Sequence, residues 1–203
     1  MFDGTRDRAI DWTKVARWTE QLVAGQVSEV CAELANRMRV APTFIWNPQP
    51  DDLQSTKLRF LLEYWTSLRD GDRLPLTRAI DPIRMRPALG YVMLIDVIDG
   101  GRDFRYRLYG TMLAAVSGFD MTGRLLSNHG ASVDVIEFSL ATCRAVVIRR
   151  EPVFTARAPR GALYTSRWHR IAMPLVDEAG TVVRLLVGTV PLSHAGEIVS
   201  ARL

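Results

Sequence analysis

The sequence predicts an α+β fold: a five-stranded antiparallel sheet with short helices on one face, preceded by an N-terminal helical extension. Three observations carry this expectation. The periodicities run helix, two strands, helices, then three strands, and strands grouped around a helical insert favour an antiparallel sheet. The two early strands flank Asp99-Gly100-Gly101, a hairpin turn. The segment from Phe104 to Arg124 passes from an alternating strand through Gly110 into a short helix and a glycine-bounded turn.

Ile10 to Met38 reads as helix, with apolar residues at Trp12, Val15, Trp18 and Leu22, then Val27, Val30, Leu34 and Met38. Gly25 is expected to bend or split it, since glycine costs roughly 1 kcal/mol inside a helix. Val40 to Leu53 holds Pro42, Pro48 and Pro50 and reads as a linker or wrapped loop, pinned to a surface by Phe44, Ile45 and Trp46. Ser55 to Leu68 is the next helix, its apolar face formed by Leu58, Leu61, Leu62, Trp65 and Leu68. Asp81 can cap a short helix with Pro82 in first position.

Tyr91 to Ile98 is an apolar, β-branched strand. Asp103 to Tyr109 alternates, with Phe104, Tyr106 and Leu108 on one side and Arg105, Arg107 and Tyr109 on the other. Thr111 to Ser117 is a short helix. Val133 to Val147 is a longer one, with Val133, Ile136, Leu140, Cys143 and Val147 on one face. Arg144, Arg149 and Arg150 near its end suit the helix dipole. Pro152 to Ala158, Tyr164 to Val176 and Thr181 to Pro191 are the last strands, joined by turns at Pro159-Arg160-Gly161 and Asp177-Glu178-Ala179-Gly180. The boundaries expected are 1–53 for the helical arm and proline-rich linker, 54–193 for the domain, and 194–203 for a polar tail.

The 203 residues hold 48% hydrophobic and 24% charged side chains, which suits a folded domain rather than a disordered chain. The net charge is +4, and residues 56–203 carry the positive excess. The arginines are scattered with acidic residues nearby, which argues against a nucleic-acid footprint. Cys31 and Cys143 stand far apart with no Cys-x-x-Cys pair, fitting a reducing compartment. Residues 1–8 lack the apolar core of a signal peptide, and no apolar run approaches the roughly 20 residues of a membrane span. A cytoplasmic protein is expected.

Four segments together carry a family resemblance: Leu61-Leu62-Glu63-Tyr64-Trp65 running to Leu74-Pro75; Ile80-Asp81-Pro82; Phe104 to Arg124; and Arg170-Ile171-Ala172-Met173-Pro174-Leu175. From about Lys57 to Leu192 the chain resembles a bacterial PAS family in which the domain stands almost alone. The resemblance implies a cupped, PAS-like sheet with short helices closing a pocket. It also implies a sensor or adaptor that binds a small apolar ligand, or acts through protein contacts with a signalling partner such as a histidine kinase or regulator.

The pocket wall expected is Tyr109, Met112, Leu113, Val116, Phe119, Ile136, Leu140 and Trp168; the competing reading is that these are core. Trp12, Val15, Trp18 and Leu22 form a stripe that self-association would cover, giving a homodimer; the competing reading folds that helix onto its own domain. No catalytic constellation is visible: Gly-x-Ser-x-Gly, P-loop and dinucleotide fingerprints are absent, and no enzyme activity or attached kinase or cyclase core is expected. Cofactors stay open. His129 reads as a loop residue, and haem ligation by it gives the alternative of a haem- or metal-bearing redox or gas sensor. His169, by alternation opposite Trp168, reads as a surface histidine, and Cys143 as an inert core thiol. A flavin photoreceptor would need a reactive cysteine in the loop after the first strands, where none lies. An unrecognised enzyme using the same pocket and DNA binding by the basic domain are the remaining classes.

Overall fold

Helix α1 (Trp12–Val23) starts where Asp11 accepts the Lys14 N–H on Oδ1 at 3.0 Å, satisfying a donor that the first turn leaves free. It stops before Gly25, whose φ of +82° is a left-handed conformation a helix cannot contain. Helix α2 (Val27–Met38) then turns back. The expected long helix is thus two. In this computed structural model, residues 9–38, 41–158, 165 and 167–199 are described. The expected turn at Pro159-Arg160-Gly161 and the expected strand start at Tyr164 lie outside them.

Among the described residues the sheet has six strands rather than five: β1 (Thr43–Trp46), β2 (Val92–Ile98), β3 (Asp103–Tyr109), β4 (Val153–Arg157), β5 (Arg167–Val176) and β6 (Val182–Leu192). Their spatial order is β1-β4-β5-β6-β2-β3, every pair antiparallel. The extra strand is Thr43–Trp46, read from sequence as linker. Pro42 and Pro48 bracket only five residues, and the first four pair with β4 as an edge strand, where prolines at the ends remove no ladder bond.

Both sheet faces are covered. Helix α3 (Thr56–Ser67) lies on one, its Trp65 indole N–H donating to the Pro174 carbonyl at 2.9 Å. The short α4 (Thr111–Ser117) and long α5 (Val133–Arg149) close the other. A Cβ at Gly110 would collide with the Gly90 carbonyl, so glycine lets the strand-to-helix junction pack against the 3-10 segment Arg86–Tyr91.

Helix α1 packs on the outer side of α5. Lys14 forms an ion pair with Glu137, whose side chain is 1% exposed, and lies 3.8 Å from Asp134. Glu137 Oε1 also accepts the Asp11 N–H at 2.9 Å. Val15, Trp18 and Leu22 are fully buried within the chain. The Trp18 indole donates to Glu33 at 2.9 Å, tying α1 to α2. Only Trp12 keeps substantial exposure, at 38%, beneath the Arg144 guanidinium. The stripe proposed for self-association is therefore corrected: α5 already covers Val15, Trp18 and Leu22, and they offer no surface to a second copy. The core runs unbroken through the expected boundary near residue 53, and Leu53 itself is fully buried.

Arginines bracket the end of α5 more specifically than by dipole. Arg144 donates to the carbonyls of Gly101 and Arg102, and Arg149 to the Val23 carbonyl and Glu151. Among the described residues no helix is long and apolar enough to cross a membrane.

Removing one partner of a buried ion pair strands the other charge, so Lys14→Met should cost about 3 kcal/mol in urea unfolding. Adding Glu137→Leu should restore most of the loss. A single variant within about 0.5 kcal/mol of the parent, the range of neutral surface changes, would show that this pair does not hold the helices together.

Candidate functional site

Between α4, α5 and the sheet lies a cavity of about 480 Å³, within the usual size range of small-molecule sites. Its floor follows from strand alternation. The β4–β5 ladder pairs Val153 with Ala172, Thr155 with Arg170 and Arg157 with Trp168. All six therefore share one face, and all six line the cavity. The β5–β6 ladder adds Thr189 beside Arg170.

Tyr109 reaches the same face through a bulge. Met93 pairs with Tyr109 and Leu94 with Leu108, but Ile95 pairs with Tyr106, leaving Arg107 as the extra residue. A bulge flips the side-chain parity beyond it. Tyr106 and Tyr109 thus both face inward, with rings edge-to-face at 5.4 Å, while Leu108 is 36% exposed. Strict alternation had put Leu108 with Tyr106 and Tyr109 opposite. The Tyr109 hydroxyl lies 3.4 Å from Ser117 Oγ, which donates to the Leu113 carbonyl at 2.7 Å.

The roof is the side of α5 carrying Val135, Phe138, Ser139, Thr142 and Cys143, residues spaced by three and four along one helical face. Of the residues expected to line the pocket, Tyr109, Leu113, Phe119 and Trp168 do so. Met112, Val116, Ile136 and Leu140 do not. Met112 packs against Gly90 instead. Ile136 and Leu140 are buried on α5 away from the cavity lining, and the helix also meets the 3-10 turns Asp99–Gly101 and Leu126–Asn128. Helix α5 is enclosed by α1, by those turns and by the cavity, so its most apolar stripe is not its cavity wall.

His129 is half-buried and lines the cavity, its ring edge-on to Phe119 at 5.1 Å. Its Nδ1 accepts the Ala131 N–H at 3.1 Å, which leaves the proton of the neutral ring on Nε2. Burial, reinforced by Arg170 and Arg157, lowers its pKa from 6.5 to about 4. Burial likewise raises the Tyr106 and Tyr109 phenols and the Cys143 thiol. His169 corrects the surface reading. It is 3% exposed and edge-on to Phe154 at 5.4 Å, because its side of the sheet is covered as well. Neither of its ring nitrogens has a hydrogen-bond partner, and burial followed by Arg167 lowers its pKa.

At the cavity itself, Thr142 Oγ1 and Thr189 Oγ1 are buried and unpartnered among the described residues. Sequence reasoning missed Thr142, Thr189, Arg157 and Arg170. The signal for Arg170 was present: it follows Trp168 by two residues and shares its face.

The described helices and sheet enclose a ligand-sized hollow, and a family model described as a PAS domain matches residues 51–189. The chain belongs to the PAS family. The match covers α3 through most of β6, and the helices α1 and α2 precede it. No curated protein matches this PAS chain. Among solved structures it is similar to one titled "Structure of an RNA-binding Light-Oxygen-Voltage Receptor". Identity is 12%, the TM-score is 0.39, and the match covers 89% of this chain and 59% of that one. The PAS chain thus spans about three-fifths of that neighbour.

A histidine held neutral in the folded state opposes folding as pH falls, because only the unfolded chain binds the proton easily. Its stabilisation is complete above pH 6.5 and is lost on descent towards about 4. The urea midpoint should fall through that window, with a shallower slope in His129→Gln. Equal slopes would remove this imidazole as the cause.

Proposed function

We propose that this PAS domain is a cytoplasmic sensor that binds a small ligand in the cavity under α5 and reports occupancy through contacts with a signalling protein, such as a histidine kinase or regulator. The observation that carries the reading is the cavity itself, with Thr142 Oγ1 and Thr189 Oγ1 buried and unpartnered in its wall. A buried hydroxyl without a partner costs on the order of 1–3 kcal/mol, and a ligand acceptor or donor removes that cost. The reading assigns no catalytic step. The Cys143 thiol is raised by burial, away from the thiolate that attacks. The Ser117 hydroxyl donates to a backbone carbonyl rather than to a base.

Occupancy can shift the domain only by the ligand's different affinity for two states. Helix α5 is suited to carry the difference, because one side faces the cavity and another carries Glu137. Free Cys31 and Cys143, both buried, support the cytoplasmic placement.

One observation favours a second reading, a haem-bearing sensor. His129 presents a neutral imidazole to the cavity, with Nδ1 engaged and Nε2 left over.

Native mass spectrometry of freshly purified protein, with an absorbance spectrum of the same sample, tests both. A colourless small-molecule adduct is expected; a Soret band would replace the first reading with the second. Ser139→Phe, which drives a ring into the cavity, should abolish the adduct while the circular dichroism stays native. An adduct that survives this change is bound elsewhere.

A further inference from the structure

Six arginines among the described residues are half-buried. Four are bonded: Arg59 to the Pro50 and Leu53 carbonyls, Arg144 to Gly101 and Arg102, Arg149 to Glu151, and Arg184 to Asp96. The other two, Arg157 and Arg170, both line the cavity. Neither is ion-paired with a carboxylate among the described residues. The one hydrogen bond either makes is a long one, from Arg170 Nη2 to Cys143 Sγ at 3.9 Å.

Their placement is built by the sheet. Arg157 pairs with Trp168, two residues from Arg170, so the two are diagonal neighbours on one face, about 7 Å apart at Cβ. Arg170 is flanked by Thr155 on β4 and Thr189 on β6, a threonine–arginine–threonine row across three strands. Thr189 Oγ1 is unpartnered, as is Thr142 Oγ1 on the roof, where Thr142 is only 6% exposed. The surroundings are poor in negative charge. Among the described residues the one lining carboxylate is Asp134, on α5, which lies 3.8 Å from Lys14. Leu113, Phe119 and Phe138 supply apolar wall, interspersed with Ser117, His129 and Ser139.

Two neighbouring guanidinium groups, neither ion-paired among the described residues, destabilise an empty site. Burial, with Arg170 next to it, lowers the Arg157 pKa to about 10. Hydroxyl donors and a guanidinium pair match an oxyanion, which accepts several charge-assisted hydrogen bonds at once.

We infer that the cavity takes an organic anion: a carboxylate or phosphate head on Arg157 and Arg170 beside the Thr155–Thr189 row, with a compact apolar body against Leu113, Phe119 and Phe138. This rests on the reading of the cavity as a ligand site and names the class of ligand.

The test is thermal unfolding of the full chain with millimolar phenylacetate, phenyl phosphate or the neutral phenylacetamide, for the parent and for Arg170→Met. At least one acid should raise the parent midpoint by about 3 °C or more, a shift worth roughly 1 kcal/mol at this size, and the amide by much less. The larger acid shift names the head group. Arg170→Met should raise the ligand-free midpoint, because it removes an unpaired cation, and should abolish the acid shift. Three results overturn the inference: an amide shift equal to the acids', no shift from either acid, or an Arg170→Met midpoint below the parent's. An equal amide shift leaves the ligand cavity standing. Silence from all three compounds, with no adduct in native mass spectrometry, removes the cavity reading as well.

Discussion

The position of α5 is the constraint on which the rest depends. The helix lies over the sheet yet does not collapse onto it, and the gap is the cavity. It is held from outside. Glu137 is almost fully buried and needs a counter-charge and a donor; Lys14 and the Asp11 N–H supply them. Arg144 and Arg149 fasten the far end to backbone carbonyls. A charge pair in that environment is directional in a way apolar packing is not, and its loss leaves an uncompensated ion. The N-terminal helices are therefore part of what keeps the hollow open.

With α5 fixed, the chemistry of the hollow follows from geometry on two sides. The helix presents Ser139, Thr142 and Cys143, small residues that leave volume. The sheet presents every second residue of β4 and β5, and this places Arg157 and Arg170 together. The bulge at Arg107 completes the floor by turning Tyr109 inward beside Tyr106. Helix α5 joins the two regions: it touches the cavity on one face and the α1 ion pair on another.

Several elements were legible because local rules determine them. Gly25 separates α1 from α2, and Asp99-Gly100-Gly101 turns the chain between β2 and β3. Helix α4 and strand β3 were legible to the residue, since alternation, Gly110 and the left-handed Gly118 mark their limits. The PAS resemblance was legible in the same ordered signals. Strand β1 was not. A four-residue strand in a five-residue stretch between prolines has no periodicity of its own, and only β4 makes it a strand.

By itself, then, the sequence determined the type and order of the elements other than β1, the antiparallel sheet and the PAS family, because spacing, turn residues and caps act within a few positions. Of the eight residues expected at the pocket, Tyr109, Leu113, Phe119 and Trp168 line the cavity and Met112, Val116, Ile136 and Leu140 do not. Only the tertiary structure decided which faces are buried and by what. Trp18 and Leu22 look like an interface until α5 covers them. His169 looks exposed until its side of the sheet is closed. Arg170 shares the face of Trp168 in the sequence, but only β4 brings Arg157 beside it, with neither ion-paired among the described residues. Burial and charge pairing are sums over strands and helices far apart in the chain, and no local pattern contains them.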